Sequence, residues 1–297
     1  MCPMEPLKDK VVVVTGSARG AGRAQALAIA RQGAKMVVAD RTVAPRPDLL
    51  MQDTIFTVAD RISREGGTAL PVKCDVREEG DIVALRDKVL ERFGTVDVIV
   101  NNAAITLSAR AWEIPSERWD RVMAVNPRAT FLMCKYFLPT LMEKRRGSIV
   151  NLSSPAGRGP APGMSVYSAS KAAIDYFTLS LAEEVREYNI AVNSIAPTGG
   201  IDTEGNRQIF QDDPAWVDTW EPAEHFALGV VWLAKQDAQS FTGNLVYSRA
   251  LISQFGLCRR WCCAALGAAP SVAGPLRVEW EPNLSVKAWL ARKATEE

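Results

Sequence analysis

Tyr167 and Lys171 stand four residues apart in the run Ser165-Val166-Tyr167-Ser168-Ala169-Ser170-Lys171. On a helix this spacing puts both side chains on one face, one turn apart. An ammonium in that position favours a phenolate, lowering a pKa that ordinarily lies at about 10. A tyrosine so tuned can exchange a proton with a substrate hydroxyl near neutral pH. Tyr and Lys at helical spacing also pack and solvate in ordinary helices, so the pair takes its meaning from its company.

That company begins near the amino terminus. Val11-Val12-Val13-Val14 is a β-branched run of the kind buried on both faces of a parallel sheet. It leads into Thr15-Gly16-Ser17-Ala18-Arg19-Gly20-Ala21-Gly22, then an alanine-rich segment from Arg23 to Arg31 that Gly33 stops. A second strand, Met36-Val37-Val38-Ala39, closes on Asp40. Strand, glycine turn, helix, strand and acid is the order of a dinucleotide site. The glycines admit a pyrophosphate to the backbone, and the helix amino terminus offers N–H donors and a positive dipole end. Asp40 is placed to accept hydrogen bonds from ribose hydroxyls. The glycine spacing is neither G-x-G-x-x-G nor a phosphate loop, because no Gly-Lys-Ser/Thr follows Gly16 at the required distance. Asp40 repels a 2′-phosphate, whereas Arg41 and Arg46 in the proline-broken loop beyond it attract one. The balance favours NAD, with NADP as the alternative.

The chain resembles the short-chain dehydrogenase/reductase family through most of its length. The family's T-G-x-x-x-G-x-G turn is matched by Thr15, Gly16, Gly20 and Gly22. Its adenine-side acid is matched by Asp75, in Cys74-Asp75-Val76, and its N-N-A-G strand end by Asn101-Asn102-Ala103-Ala104. Its mid-helix asparagine corresponds to Asn126, its Y-x-x-x-K to Tyr167 and Lys171, and its serine to Ser154. Ser153 is also present, but Ser154 has the family's distance to Tyr167 and precedes Pro155-Ala156-Gly157. The long segment after Asp40, the run Ser240-Phe241-Thr242-Gly243-Asn244, and Pro197 followed by Ile201 and Thr203 look like the hydroxysteroid dehydrogenase-like branch.

This resemblance implies a doubly wound Rossmann α/β fold, a parallel sheet of about seven strands with helices on both faces. It implies an NAD(P)-dependent oxidoreductase interconverting a secondary alcohol and a carbonyl. The catalytic set carried over is Asn126, Ser154, Tyr167 and Lys171. Ser154 would donate a hydrogen bond to the substrate oxygen, and Tyr167 would act as general acid or base. Lys171 would lower the Tyr167 pKa and hold the nicotinamide ribose, and Asn126 would order a water leading to solvent. The cofactor contacts carried over are Gly16, Ser17, Arg19, Gly20, Ala21, Asp40, Arg41, Asp75, Val76, Asn102, Ala103, Tyr167, Lys171, Pro197, Ile201 and Thr203. Helices 117–144 and 166–187 would form the contact surface of a homodimer or homotetramer. Ala104, Thr198 after Pro197, and Tyr247-Ser248-Arg249-Ala250 depart from the family pattern. They keep open a non-catalytic NAD(H)-binding regulator or structural oligomer of the same fold.

Alternating elements position these residues. Strands are expected at Lys10–Val14, Lys35–Ala39, Ala69–Cys74, Val96–Asn101, Gly147–Leu152, Ala191–Ile195 and Asn244–Tyr247. Helices are expected at Ala21–Gln32, Thr54–Glu65, Glu78–Phe93, Glu117–Lys144, Val166–Glu187 and Pro222–Lys235. Such alternation argues a parallel sheet covered on both faces, with ligands beyond the carboxyl ends of its strands. Pro127 should kink its helix and leave the backbone polar groups of Asn126 free for water. Residues 1–255 read as one domain, including a substrate lid over about 202–221. In that lid Phe210, Trp216 and Trp220 either face an apolar substrate or anchor the loop. Residues 256–297 read as an extension whose role is undecided.

Composition narrows the classes. Lys+Arg 35 against Asp+Glu 34 implies no nucleic-acid or anionic-membrane field. The single histidine, His225, is expected in a surface or cap role, which disfavours a Ser-His hydrolase. Cys74 and Cys134 read as buried thiols. Cys258, Cys262 and Cys263 lack a C-x-x-C partner pair or a nearby His, so no metal is expected. Neither a charged-plus-apolar leader nor an apolar run of membrane-spanning length is present, and a reducing cytoplasm is the expected location.

Overall fold

A computed structural model of the chain describes residues 7–45, 52–209 and 220–257. Cys2, Arg46, Phe210, Trp216, the three clustered cysteines and the extension beyond residue 257 lie outside them.

Seven parallel strands form the sheet: β1 (Val11–Thr15), β2 (Lys35–Asp40), β3 (Thr68–Lys73), β4 (Val98–Asn101), β5 (Gly147–Leu152), β6 (Ile190–Ala196) and β9 (Asn244–Tyr247). Their order is β3-β2-β1-β4-β5-β6-β9. Chain direction across the sheet reverses between β1 and β4, the place where a doubly wound sheet opens a crevice above its carboxyl edge. A short parallel pair, β7 (Ile201–Asp202) with β8 (Glu221–Pro222), stands apart from the main sheet.

The valines of β1 show why the sheet is central. Val12 and Val14 face a cluster with Leu27, Ile29, Ile62, Phe226 and Val230, from α1 (Gly20–Ala30), α2 (Ile55–Arg64) and α8 (Ala223–Leu233). Val11 and Val13 face Ile82, Leu85, Met133, Phe137 and Leu181, from α3 (Glu79–Phe93), α5 (Ala129–Lys144) and α6 (Ser165–Glu184). All four are at most 1% exposed, so each contributes on the order of 2 kcal/mol of burial. The expected seven strands and their helical cover are present.

Two expectations about the elements are corrected. Pro127 does not break its helix. Between α4 (Ser116–Met123) and α5, residues Ala124–Arg128 widen into a π-helical turn that absorbs the missing N–H. The Asn126 carbonyl is therefore not left open, because the Thr130 hydroxyl donates to it at 2.9 Å. His225 is not a surface residue: it is buried at 6% exposure, with Nδ1 3.2 Å from the Glu221 carboxylate. The Ser248 hydroxyl donates to the other oxygen of that carboxylate. Ser248 opens a helix absent from the sequence reading, α9 (Ser248–Gln254). β8, α8 and α9 are thus joined through one buried polar cluster.

Candidate active site

At the carboxyl edge of the sheet lies a cavity of about 1120 Å³. Its wall includes Arg19, Asp40, Asp75, Asn102, Ser154, Tyr167, Lys171, Pro197 and Thr203. Every site residue named from the sequence lines it except Ser17 and Asn126.

The glycine turn is shaped by contact. Gly16 takes φ +67°, and a Cβ there would lie 2.9 Å from the Ala103 Cα. A Cβ on Gly22 would lie 2.1 Å from the Gly16 carbonyl oxygen, so only glycine closes this turn. Asn102 staples the turn to β4: its Nδ2 donates to the Thr15 carbonyl at 2.8 Å and the Gly16 carbonyl at 3.2 Å. That amide is consumed by the fold. Ser17, fully buried, donates its hydroxyl to the Val14 carbonyl at 2.8 Å and shapes the turn from beneath.

Asp40 closes β2 with its carboxylate fixed by two backbone donors, Ala18 N–H at 3.2 Å and Thr42 N–H at 2.9 Å. Asp75 is gripped by the Arg77 guanidinium, with Nη2 to Oδ2 at 2.6 Å, and that bond chiefly holds its carboxyl below the usual range. Arg23 on α1 bridges Asp53 and, at 2.6 Å, Glu204 of α7 (Glu204–Ile209). Trp220 is 4% exposed, and its ring occupies the space above Gly200 where a Cβ would project. It packs against Gly200 while still lining the cavity.

Ser154 follows β5 directly, and Tyr167 and Lys171 lie on the first turns of α6. Ser154, Thr106 and Tyr167 converge on one wall of the cavity, and the Ser154 hydroxyl accepts from the Ala156 N–H at 3.2 Å. The Lys171 ammonium donates to the Leu152 carbonyl at 2.7 Å and sits 5.7 Å from the centre of the Tyr167 ring. Protein atoms crowd the phenol oxygen although the side chain still touches the cavity, and this desolvation pushes its pKa up. The expected lowering by Lys171 is thus corrected for the protein alone: burial wins, and only the two hydroxyl contacts oppose it. Burial also brings Lys171 down to about 8, with the Asp175 charge resisting. At neutral pH it remains mostly an ammonium.

Asn126 lies behind this group. Its Oδ1 accepts from the Ile105 N–H at 2.9 Å, and its Nδ2 donates to the Ile105 carbonyl at 3.1 Å and the Ser170 hydroxyl at 2.9 Å. Arg158, just past the Ser154 turn, pairs with Asp175 one turn beyond Lys171, at 2.8 Å. Both side chains are at most 5% exposed. Sequence reasoning missed Thr106, Arg158 and Asp175. The one cue to Thr106 was its place just beyond the Asn101–Ala104 strand end.

The cavity fits an extended dinucleotide. Asp40 and Ser154 follow strands three places apart in the sheet, about 14 Å across. Between them stands a wall that only glycine permits. The Thr198 hydroxyl, on the same wall, is buried without a hydrogen-bond partner among the described residues. Glycine cradle, fixed carboxylate and seven-stranded parallel sheet define a dinucleotide-binding protein of the Rossmann class.

Comparison with known proteins narrows the class. The short chain dehydrogenase family model matches residues 10–214. Human hydroxysteroid dehydrogenase-like protein 2 is 34% identical over 248 residues, covering 83% of this chain and 58% of that protein. The chain thus spans about half the length of the first curated relatives it matches, 46–58%. An uncharacterised NAD-dependent oxidoreductase of Mycobacterium tuberculosis is 33% identical over 261 residues, covering 81% of this chain and 94% of its own. A solved short-chain type dehydrogenase/reductase from Mycobacterium marinum superposes with a TM-score of 0.72 at 28% identity, covering 82% of this chain and 95% of that one. A Beutenbergia cavernae structure described as an NAD(P)-dependent gluconate 5-dehydrogenase, holding NADP at low occupancy, has a TM-score of 0.73 at 30% identity, covering 82% and 97%. The chain belongs to the short-chain dehydrogenase family.

Proposed function

We propose that the protein is an NAD(H)-dependent oxidoreductase interconverting a secondary alcohol and a carbonyl. The observation that carries this reading is the convergence of Ser154 and Tyr167 on one cavity wall, with the Lys171 ammonium 5.7 Å from the centre of the Tyr167 ring. Gly16, Gly20, Ala21 and Arg19 would hold the pyrophosphate, and Asp40 and Asp75 the adenosine. Asn102, Ala103, Pro197, Ile201 and Thr203 would flank the remainder. When bound, the nicotinamide ring accepts or donates the hydride.

In the oxidation direction Ser154 donates a hydrogen bond to the substrate oxygen and stabilises the charge that grows there. Tyr167 takes the hydroxyl proton onto its phenol oxygen, and in reduction it returns that proton. The Lys171 cation supports the phenolate electrostatically. Asn126 acts behind the site, fixing the loop that ends β4. Asp40 supports NAD over NADP, because its carboxylate is fixed where a 2′-phosphate would have to approach.

The relatives' names favour no single substrate, and that choice belongs to the lid. Self-association through α4, α5 and α6 is part of the same proposal, supported by the exposed Trp119, Phe131 and Tyr176 on those helices. A reducing cytoplasm suits the free thiols of Cys74 and Cys134. Among the described residues no helix is long and apolar enough to cross a membrane.

The decisive experiment is a panel of secondary alcohols and ketones assayed with NAD and NADH, by nicotinamide absorbance, for wild type and Tyr167→Phe. Tyr167→Phe should lower turnover by about a thousandfold while cofactor affinity is retained. Undiminished turnover in that variant would refute the assignment.

A further inference from the structure

Substrate choice has one contributor outside the lid. Of the residues of α4, only Arg121 lines the active-site cavity. It stands one turn before Val125, which lines the same cavity from the π-helical turn, so the two share the inward face. The neighbouring Val122 is buried in one apolar seam with Leu107 and with Val166 of α6. Arg121 and Tyr167 each lie one residue along from that seam, and both line the cavity. Packed helices stand about 8–10 Å apart, a span within the scale of a long arginine side chain. The guanidinium and the phenol therefore front one end of the cavity.

The charge at that end is unbalanced. The carboxylates on the cavity wall are Asp40, Asp53, Asp75 and Glu204. Asp40 closes β2, Asp75 follows β3 and is held by Arg77, and Asp53 and Glu204 are held by Arg23 of α1. Beside Ser154 and Tyr167 the wall instead carries two cations, Lys171 and Arg121. Lys171 is buried and committed to the Leu152 carbonyl at 2.7 Å. Arg121 is exposed, and among the described residues it forms no ion pair. On its own helix Asp120 lines a different hollow, with Met123 and Phe131, and Glu117 one turn earlier leaves it unpaired.

We propose that Arg121 is a specificity-determining residue that pairs with a carboxylate on the substrate, so that the alcohol and carbonyl interconverted are a hydroxy acid and its oxo acid. The inference rests on the Ser154–Tyr167 site being the reaction centre.

A guanidinium grips a carboxylate through two parallel N–H···O bonds, which fixes orientation as well as supplying charge. Ile105, Val125, Ala161 and Met164 give the wall an apolar surface suited to a hydrocarbon chain. A phosphate monoester, with nearly two charges, calls for more cations than this end presents. In oxidation the carbinol hydride passes to the nicotinamide and the hydroxyl proton to Tyr167. The carboxylate takes no part in the bond changes and stays paired with Arg121. Because the pairing is the same in ground and transition states, losing it raises KM more than it lowers kcat.

A homologous series of straight-chain hydroxy acids, assayed with NAD against their methyl esters, tests this. Wild type should prefer acid to ester by about tenfold in kcat/KM. Arg121→Leu should raise KM for the acid about tenfold and bring acid and ester level. Arg121→Lys should keep part of the preference, as a charge without the planar fork. Independently of turnover, calorimetry of the matching oxo acids on the NADH complex should show affinity falling about tenfold in Arg121→Leu. A wild type that takes esters as readily as acids would overturn the proposal alone, as would a phosphate monoester preferred to the acid of equal length. A loss in Arg121→Leu shared equally by acid and ester would overturn it as a packing effect. Oxo acids that bind both proteins alike, or neither, would overturn it without reference to turnover. A Tyr167→Phe variant that still turns over would remove the acid–base reading, and the calorimetry would still decide the role of Arg121.

Discussion

Lys171 should cost the free protein stability, and Lys171→Met tests this directly. Its ammonium is 2% exposed, and burial brings its pKa from an ordinary 10.5 to about 8. Between those values the unfolded chain binds a proton that the folded chain has released. Stability contributed by this group therefore rises with pH from about 8 to 10.5 and is lowest, and flat, below about 7. The difference of about 2.5 units corresponds to about 3 kcal/mol of penalty at neutral pH. Methionine of similar length removes the penalty and forfeits the hydrogen bond to the Leu152 carbonyl, which costs about 1 kcal/mol. The net expectation is a Lys171→Met protein about 2 kcal/mol more stable than wild type at pH 7 and no more stable at pH 10.5. Urea unfolding of both proteins at the two pH values, without cofactor, measures it. Equal destabilisation at both pH values would refute the reasoning, since the ammonium would then be a net structural contact.

Other substitutions probe the remaining parts. Gly22→Ala forces a methyl into the Gly16 carbonyl, so it should abolish NAD binding and lower the melting temperature, as calorimetry and dye-free cofactor titration would show. Asp40→Ala should weaken NAD and strengthen NADP, reversing the preference in kcat/KM. Arg158→Leu leaves Asp175 buried without its guanidinium and should destabilise the fold by about 3 kcal/mol in urea titration, with the double variant Arg158→Leu/Asp175→Leu recovering part of the loss. Phe131→Glu on the exposed α5 face should reduce the molar mass seen by light scattering if that face joins two copies.

Much of this architecture is legible in the chain because local chemistry and fold agree. The four valines of β1 require cover on both faces, and Gly16 and Gly22 mark a turn that no other residue can close. What escaped the sequence depends on distances that no spacing encodes. Lys171 lies one helical turn from Tyr167, which suggests a lowered phenol pKa. Desolvation acts on that phenol more strongly, and desolvation is set by every element packed around it. His225 looked like a helix cap because its partner Glu221, and the Ser248 that holds Glu221, are contributed by β8 and an unexpected helix. Pro127 looked like a break because the alternative, a π-helical turn, is paid for by packing along α5 and α6.

The same logic locates Thr106. A threonine five residues past a strand end has no distinctive type or period, and it joins the cavity wall on a loop whose Ile105 the Asn126 side chain clamps. A site in which burial raises the pKa of its own base must restore proton affinity to a working range by contacts made from outside the motif. Thr106, on the loop ending β4, is one of the two side chains that oppose the rise here. Substitutions in that loop should therefore alter the pH dependence of the reaction before they alter the fold.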